Sequence, residues 1–271
     1  MPVSSAFLLA ALLLSGCIGG GSGNRVLRVS GSTTLLPVAE KAAQEFMAGN
    51  PGVDVSVNGG GSSAGIKAVG EGMADVGMSS RDVKPDDFAQ YPGLKVFAVA
   101  RDGIAVIVNP SNSVSSLTLE QVRGIYNGSY ADWGEVGGSG GQIVLVGRDS
   151  TSGTREFFTG AVMRGGGYAP AMLEKNSNGG VQQTVSQTPG AIGYVGLGFA
   201  GSGVKAVGIS ANRTVVYPTV AAVLSREYPV SRDLYLVTNG EPDGLESAFI
   251  GFLLGPQGQE LVGEEGFVPL R

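Results

Sequence analysis

The chain has 271 residues, of which 42% are hydrophobic and 15% are charged, with 46 glycines and a net charge of −5. It contains no histidine and one cysteine, which excludes the most common general base, the most common metal ligand and a disulfide within the chain. The net negative charge gives no sign of a basic surface that would bind nucleic acid. We therefore predict a protein that is not an enzyme, with no catalytic residue, no cofactor and no bound metal.

The first 17 residues have the proportions of a secretory signal peptide. The apolar run at 6–14 is too short to span a bilayer, and Leu14-Ser-Gly-Cys17 follows it. This ending resembles a lipobox, in which the cysteine is lipid-modified, and residues 18–24 have the composition of a flexible tether. The alternative is an ordinary signal peptide with an incidental Cys17, and residues 2–5 lack the usual basic side chains. We predict an extracytoplasmic protein that is lipid-anchored to the outer face of the cell membrane.

From residue 25 onwards, strand and helix patterns alternate along the chain. Strands are predicted at 25–30, 53–57, 75–79, 95–109 (interrupted at 101–103), 143–147, 190–199 and 233–238. Helices are predicted at 37–48, 63–73, 116–126, 154–163, 244–254 and 257–266. The helix at 116–126 carries a capping box formed by Thr118 and Gln121. This alternation is typical of an α/β protein with mainly parallel sheets.

Four clusters of glycine, serine and threonine follow predicted strands. They are GSTT (31–34), GGGSSAG (59–65), MSSRD (78–82) and GRDSTSGTRE (147–156). The carboxyl ends of parallel strands are where ligands bind in such folds, and helix N-termini offer unpaired N–H groups to anions. Arg81 and Arg148 add guanidinium groups, each of which can donate two parallel hydrogen bonds to an oxyanion. Together with them, the clusters predict a cage for a dehydrated oxyanion. Each cluster alone is more typical of a helix N-cap, and each arginine alone of a surface salt bridge.

Two further motifs are set aside. GSSAG (61–65) matches a hydrolase nucleophile elbow, but the chain has no histidine to serve it. GLGFAG (196–201) matches a dinucleotide fingerprint, but no acidic residue lies near position 220 to bind a ribose.

From Leu27 to Phe267 the sequence resembles the phosphate-binding lipoproteins of phosphate ABC transporters, in their short form. The resemblance rests on GSTTLLP, NGGGSSAGI, DVGMSSRDV, DGIAVIVNP, RDSTSGTREFF and GAIGYV, which occur in the family's order. It implies a two-lobed periplasmic-binding-protein-like fold that closes on its ligand about a hinge of two strand crossovers. Here the crossovers are expected near Gly103–Ile104 and near Gly196–Phe199. Lobe one would be 25–103 plus 200–271, and lobe two 104–199.

The resemblance also implies which residues bind phosphate. The positions that match the family's donors are Thr33, Thr34, Ser62, Arg148, Ser152, Gly153 and Thr154, with Ser32 as a neighbour. The third cluster departs from the family, because longer members carry an aspartate where this chain has Ser80. That aspartate accepts the proton that phosphate keeps and sulfate lacks. We expect Asp82, Asp149 or a rearranged set including Arg81 to replace it.

These residues predict high-affinity binding of inorganic phosphate and its delivery to an ABC permease, by a monomer that is held at the membrane through its lipid anchor. A second hypothesis keeps the cage but changes the ligand to sulfate, molybdate or tungstate. A third is a surface protein for adhesion or phosphate sensing without transport. A fourth is a secreted hydrolase of phosphate esters, which the missing histidines disfavour.

Overall fold

The computed structural model describes residues 25–201, 203–211 and 214–270. The predicted signal peptide at 1–17, the tether at 18–24 and the lipidation site Cys17 lie outside the described residues. Within the described ranges, every helix is too short or too polar to cross a membrane.

The secondary structure alternates between strands and helices. The strands are β1 (Arg25–Gly31), β2 (Val53–Asn58), β3 (Val76–Ser79), β4 (Leu94–Val108), β5 (Ser116–Thr118), β6 (Val144–Arg148), β7 (Leu173–Lys175), β8 (Ala191–Gly196), β9 (Lys205–Ala206), β10 (Gly208–Ala211), β11 (Thr214–Val216) and β12 (Ser231–Asn239). The helices are α1 (Leu36–Gly49), α2 (Ser62–Gly70), α3 (Pro85–Gln90), α4 (Leu119–Tyr126), α5 (Gly153–Ala161), α6 (Asn178–Gln187), α7 (Val220–Leu224), α8 (Gly244–Leu254) and α9 (Pro256–Glu264). The α/β class is as predicted, and the capping box of Thr118 and Gln121 at α4 is confirmed.

The first lobe is built on the sheet β2-β1-β3-β12-β4. Helix α1 packs on it because its apolar residues recur at helical spacing, so that Val38, Ala42 and Phe46 are all buried. Phe46 meets Phe249 of α8 edge-to-face, with ring centroids 5.6 Å apart. This packing holds the carboxyl ends of β1 and β3 at one edge of the lobe.

Strand β4 carries the chain from one lobe into the other without a break. It pairs with β12 up to Gly103 and with β8 from Ile104 onwards. The strand interruption predicted at 101–103 is therefore absent, and the strand changes its partner at the expected crossover instead. A side chain at Gly103 would come within 2.7 Å of Val223, so glycine allows the close packing of the crossover against α7.

The second crossover lies elsewhere than the sequence predicted. Residues 197–199 form a short 3₁₀ helix, after which β9 pairs with β4 and β10 pairs with β5. Val207 and Tyr228 are buried in the same apolar cluster as Ile104, on the second lobe's side of β4. The chain returns only at Val230–Ser231, where β12 begins beside Gly103. We correct the division accordingly and propose 25–103 plus 231–270 for lobe one and 104–230 for lobe two.

The sheets are mixed rather than mainly parallel. Strands β1, β2 and β3 are parallel to one another, as are β6, β7 and β8. Strand β12 is antiparallel to β3, and the second half of β4 is antiparallel to β8. The reason is geometric. Strand β12 and the second half of β4 each come from the other lobe, so they start at the cleft and run away from it. Their neighbours β3 and β8 run towards the cleft and end there, and the pairs are therefore antiparallel.

Candidate functional site

The candidate site lies in the cleft between the lobes, where β1, β3 and β6 end. The hydroxyl oxygens of Thr34 and Thr154 lie 3.1 Å apart across the cleft. The backbone N–H of Ser63 donates to the carbonyl of Thr151, also across the cleft, at 3.2 Å. The lobes are therefore in contact around the site, and the structure is closed.

The loop after β1 supplies three buried hydroxyls, at Ser32, Thr33 and Thr34. None of them caps α1, because the helix begins at Leu36 and its N-cap, Leu35, has no side-chain hydrogen bond. The Ser32 Oγ accepts from the Thr34 N–H at 3.1 Å, which stabilises the loop itself. Helix capping therefore does not explain this cluster.

Asn178, at the start of α6, holds two of these hydroxyls from the opposite lobe. Its side-chain amide donates to Thr33 Oγ1 and to Thr34 Oγ1, each at 3.1 Å, and its oxygen accepts from the Gly196 N–H at 3.1 Å. The sequence analysis missed this residue. The available signal was NSNGG (176–180), a further polar and glycine-rich cluster that follows a strand and opens a helix.

The second and third clusters meet through Ser62 and Ser80, both fully buried. The Ser80 N–H donates to Ser62 Oγ at 2.9 Å, and the two hydroxyl oxygens are 3.2 Å apart. Gly153, the first residue of α5, faces them from the other lobe, since a Cβ there would overlap the Ser62 hydroxyl and lie 3.0 Å from Ser80 Oγ. This brings the N-termini of α2 and α5 together, and both ends favour negative charge.

Ser152 has a local role in addition to its place in the cleft. Its Oγ accepts from the Arg155 N–H at 3.2 Å and so caps α5. The N-cap interpretation of this cluster is therefore correct for Ser152.

Arg148 is the largest side chain that is fully buried in the described part of the chain. Its guanidinium donates to the carbonyls of Lys175 and Asn176, each at 3.2 Å, and among the described residues no carboxylate forms an ion pair with it. Burial lowers its pKa to about 10, so it remains a cation at neutral pH. A buried cation without a counter-ion is costly, and a bound anion would compensate it.

A second buried arginine, Arg232, was not predicted. It pairs with Asp102 at 2.6 Å and donates to the carbonyl of Ser80 at 2.7 Å and towards Thr34 Oγ1 at 3.4 Å. Asp102 opens the DGIAVIVNP stretch, but the sequence analysis gave it no role in the site, and Arg232 lies in a strand outside the quoted motifs.

Arg81 does not serve the cage as predicted. Its guanidinium forms ion pairs with Asp87 at 2.6 Å and with Glu156 at 2.9 Å, and Lys84 also pairs with Glu156, at 2.7 Å. Because Glu156 belongs to α5 of the other lobe, Arg81 joins the lobes at the mouth of the cleft. Its charge is neutralised there by carboxylates.

The two aspartates proposed as proton acceptors have other hydrogen-bond partners, although Asp149 is next to Arg148 and its charge raises the pKa of that arginine. Asp82 is exposed, and it accepts from the Tyr235 hydroxyl at 2.7 Å. Asp149 accepts from the backbone N–H and the hydroxyl of Thr151, at 3.1 and 2.7 Å, in a local turn. Neither carboxylate hydrogen-bonds to the buried hydroxyls of the cage, so these contacts give no support to the prediction that Asp82 or Asp149 accepts the phosphate proton.

The cage consists of neutral donors and Arg148, with the Asp102–Arg232 pair behind it. In the part of the chain that the structure describes, no group of three or more acidic or cysteine side chains could hold a metal ion. The arrangement can bind and desolvate an anion, and it holds no nucleophile paired with a base.

Comparison with known proteins gives consistent matches. A model described as the PBP superfamily domain matches residues 19–257. The phosphate-binding protein PstS of Pseudomonas aeruginosa is 34% identical over 274 residues, which span 93% of this chain and 84% of that protein. PstS of Bacillus subtilis is 32% identical over 246 residues, which span 90% of this chain and 80% of that protein.

Solved structures agree with these matches. A Clostridium perfringens chain with bound phosphate, assigned to the substrate-binding proteins of phosphate ABC transporters, superposes with a TM-score of 0.85 at 34% identity. The superposition covers 91% of this chain and 100% of the other. It confirms the predicted two-lobed periplasmic-binding-protein-like fold.

Proposed function

We propose that this chain, which belongs to the PBP superfamily and to the PstS family of phosphate-binding proteins, binds inorganic phosphate outside the cytoplasm and delivers it to an ABC permease. The resemblance noted in the sequence is thereby confirmed. Binding involves no bond-making step and no cofactor.

The observation that carries the proposal is the environment of Arg148. The hydrogen-bond partners of its guanidinium among the described residues are backbone carbonyls, and Arg148 is the last residue of β6, before the loop that opens α5. Charge-assisted hydrogen bonds from a buried arginine are among the strongest that proteins offer a tetrahedral oxyanion. The neutral donors around it complete the coordination without further charge, so that an acidic protein binds an anion by local attraction.

The proposed ligand set comprises residues from both lobes. It contains Ser32, Thr33, Thr34, Ser62, Ser80, Arg148, Ser152, Gly153 and Thr154. Closure of the lobes brings these groups together and removes water from the anion, which is the general source of affinity in such a clamp. Opening of the lobes would release phosphate to the permease.

We also propose that the protein acts as a monomer and that a lipid on Cys17 holds it at the membrane. The LSGC sequence supports the lipid anchor. Mass spectrometry of the mature protein tests it, and an unmodified N-terminal peptide containing Cys17 would contradict it.

The test of the binding function is calorimetric titration of the full-length protein, stripped of bound anion, with phosphate and with sulfate. We expect tight binding of phosphate and a loss of at least about 100-fold in Arg148→Met, because two or more charge-assisted hydrogen bonds disappear. The fold should survive the substitution. Burial lowers the pKa of Arg148 in the folded protein below its value in the unfolded chain, so the buried charge reduces the stability of the fold at neutral pH. Arg164→Met is the matched control, because Arg164 pairs with the exposed Glu120 far from the cage.

Either of two results would contradict the proposal. One is wild-type protein that binds no phosphate, and the other is Arg148→Met that binds it as tightly as wild type.

A further inference from the structure

The ion pair of Asp102 and Arg232 lies at the hinge, behind the cage. Asp102 immediately precedes the first crossover on β4, and Arg232 immediately follows the second on β12. The two residues are direct partners in the register of these strands, and their side chains are 0% and 1% exposed. Each strand that joins the lobes thus contributes one charge to a completely buried pair.

The hydrogen bonds of the pair reach both lobes. Arg232 donates to Asp102 Oδ2 through Nε at 3.0 Å and Nη2 at 2.6 Å, and its remaining donors point to the Ser80 carbonyl and the Thr34 hydroxyl. Asp102 Oδ1 accepts from the backbone N–H of Leu197 in lobe two, at 2.8 Å. Arg232 therefore contacts two of the proposed ligand groups from behind.

The charge of the cage depends on this pair. Of the two buried arginines, Arg148 has no carboxylate partner among the described residues, whereas Arg232 is neutralised by Asp102. Burial is the largest cause of the lowered pKa of Arg148, the charge of the adjacent Asp149 opposes it, and the charge of Arg232 makes a smaller contribution that lowers this pKa further. With Asp102 in place, Arg148 is the buried arginine of this site that forms no ion pair among the described residues, although the charge of the adjacent Asp149 acts on it.

We infer that Asp102 is a specificity-determining residue, which cancels the charge of Arg232 and so limits the charge of the anion that the cage accepts. Arg232 is a positioning residue that orients Thr34 and Ser80. The inference rests on the proposed function and deepens it, because it names Asp102 as the residue that restricts the cage to a singly or doubly charged oxyanion. Arg148 then supplies the net attraction.

Removal of Asp102 alone should change selectivity. Asp102→Asn preserves the shape and leaves Arg232 uncompensated, which favours a dianion over a monoanion. At pH 5, where phosphate is mostly the monoanion and sulfate the dianion, the ratio of sulfate to phosphate affinity should rise at least about tenfold. Asp233→Asn is the matched control, since this neighbour on β12 faces Arg101 at 3.5 Å and is 44% exposed.

A double-mutant cycle separates positioning from direct binding. Arg232→Met leaves Asp102 as an unpaired buried anion beside the cage and should weaken phosphate binding at least about 100-fold. The double variant Asp102→Asn/Arg232→Met removes both charges and should bind phosphate at least about tenfold more tightly than Arg232→Met. A purely structural role would lower the melting temperature without changing the anion ratio of the folded protein.

The outcomes are distinguishable. If the wild-type chain binds phosphate and Asp102→Asn leaves the ratio unchanged, the inference is overturned and the proposed function stands. If the double variant binds no better than Arg232→Met, Arg232 is itself a ligand and the inference is overturned. If Asp102→Asn does not fold, the comparison of Arg232→Met with the double variant decides. Absence of oxyanion binding by the wild-type chain would overturn both proposals.

Discussion

The hydroxyl groups of Ser62 and Ser80 can each both donate and accept a hydrogen bond, whereas an ionised carboxylate can only accept one. They lie 3.2 Å apart at the bottom of the cleft. The acidic side chains that sequence reasoning assigned to this place are engaged elsewhere, Asp82 with Tyr235 and Asp149 with Thr151. Discrimination between phosphate and sulfate is therefore expected to depend on hydroxyl oxygens as acceptors of the phosphate proton.

Substitution of Asp82 tests whether hydroxyl oxygens, and not this carboxylate, accept the phosphate proton. We expect Asp82→Asn to change the affinities for phosphate and sulfate by less than about twofold, because its carboxylate is exposed and bonded to Tyr235. Competitive calorimetric titration with both anions measures the effect.

Ser62→Ala is the positive control, because it removes the acceptor of the Ser80 N–H inside the cage. Leaving that donor unsatisfied costs about 1–3 kcal/mol and should weaken phosphate binding about tenfold. A large change in the anion ratio in Asp82→Asn would show instead that Asp82 turns into the cleft when phosphate binds.

At the level of elements, the N-terminus of α5 depends on the absence of a side chain. Gly153 faces Ser62 and Ser80 so closely that a Cβ there would overlap the Ser62 hydroxyl and lie 2.8 Å from Ser62 Cβ. Opposite it, Gly61 has φ 96°, and a Cβ there would lie 2.5 Å from the Thr151 carbonyl oxygen. These two glycines let the lobes approach until backbone N–H groups can contact a ligand.

Gly153→Ala should therefore prevent full closure. We expect at least about tenfold weaker phosphate binding with a cooperative fold, because the added methyl clashes only when the lobes meet. Gly160→Ala in the same helix is the matched control, since a Cβ there meets nothing within 4 Å.

In the control the substitution should raise the free energy of unfolding by about 0.5–1 kcal/mol and leave binding unchanged. Chemical denaturation and titration measure the two effects. If Gly153→Ala binds like wild type, the lobes do not close as tightly as the structure indicates.

At the level of the whole molecule, closure is held by contacts at two depths. Inside the cleft, Asn178 and Thr154 of lobe two bond to hydroxyls of lobe one. At the mouth of the cleft, Glu156 of lobe two forms ion pairs with Arg81 and Lys84 of lobe one. The inner contacts line the proposed ligand site, whereas the outer ion pairs include the partly exposed Glu156 and Lys84, and we expect them to affect how long the lobes stay closed.

Glu156→Gln should accordingly speed release more than it slows capture. Partly exposed ion pairs contribute about 0.2–1 kcal/mol each, so we expect the phosphate dissociation rate to rise about twofold to tenfold. An isotope chase with labelled phosphate measures this rate. Glu120→Gln is the control, because Glu120 pairs with Arg123 and Arg164 within lobe two.

An unchanged dissociation rate in Glu156→Gln would mean that the ion pairs at the mouth do not hold the lobes together. An equal increase in Glu120→Gln would mean that the effect comes from net charge rather than from closure.

Features that depend on near neighbours in the chain could be predicted from the sequence alone. The spacing of Val38, Ala42 and Phe46 determines the buried face of α1, and the Thr118–Gln121 pair caps α4. The clusters of glycine and hydroxyl residues were recognisable because strand ends and helix starts have local signatures. The α/β class followed from such patterns, whereas the expected place of the first crossover came from the family resemblance.

Which charged groups lie at the proposed anion site depends on contacts between distant parts of the chain. Arg81 and Asp82 adjoin the third cluster in sequence, yet their partners are Glu156 and Tyr235, residues from distant elements.

Conversely, Asp102 and Arg232 are 130 positions apart and meet only because β4 and β12 pair at the hinge. A buried charged side chain is stable only beside groups that compensate its desolvation. Those groups come from distant parts of the chain, so the local sequence does not show where they are.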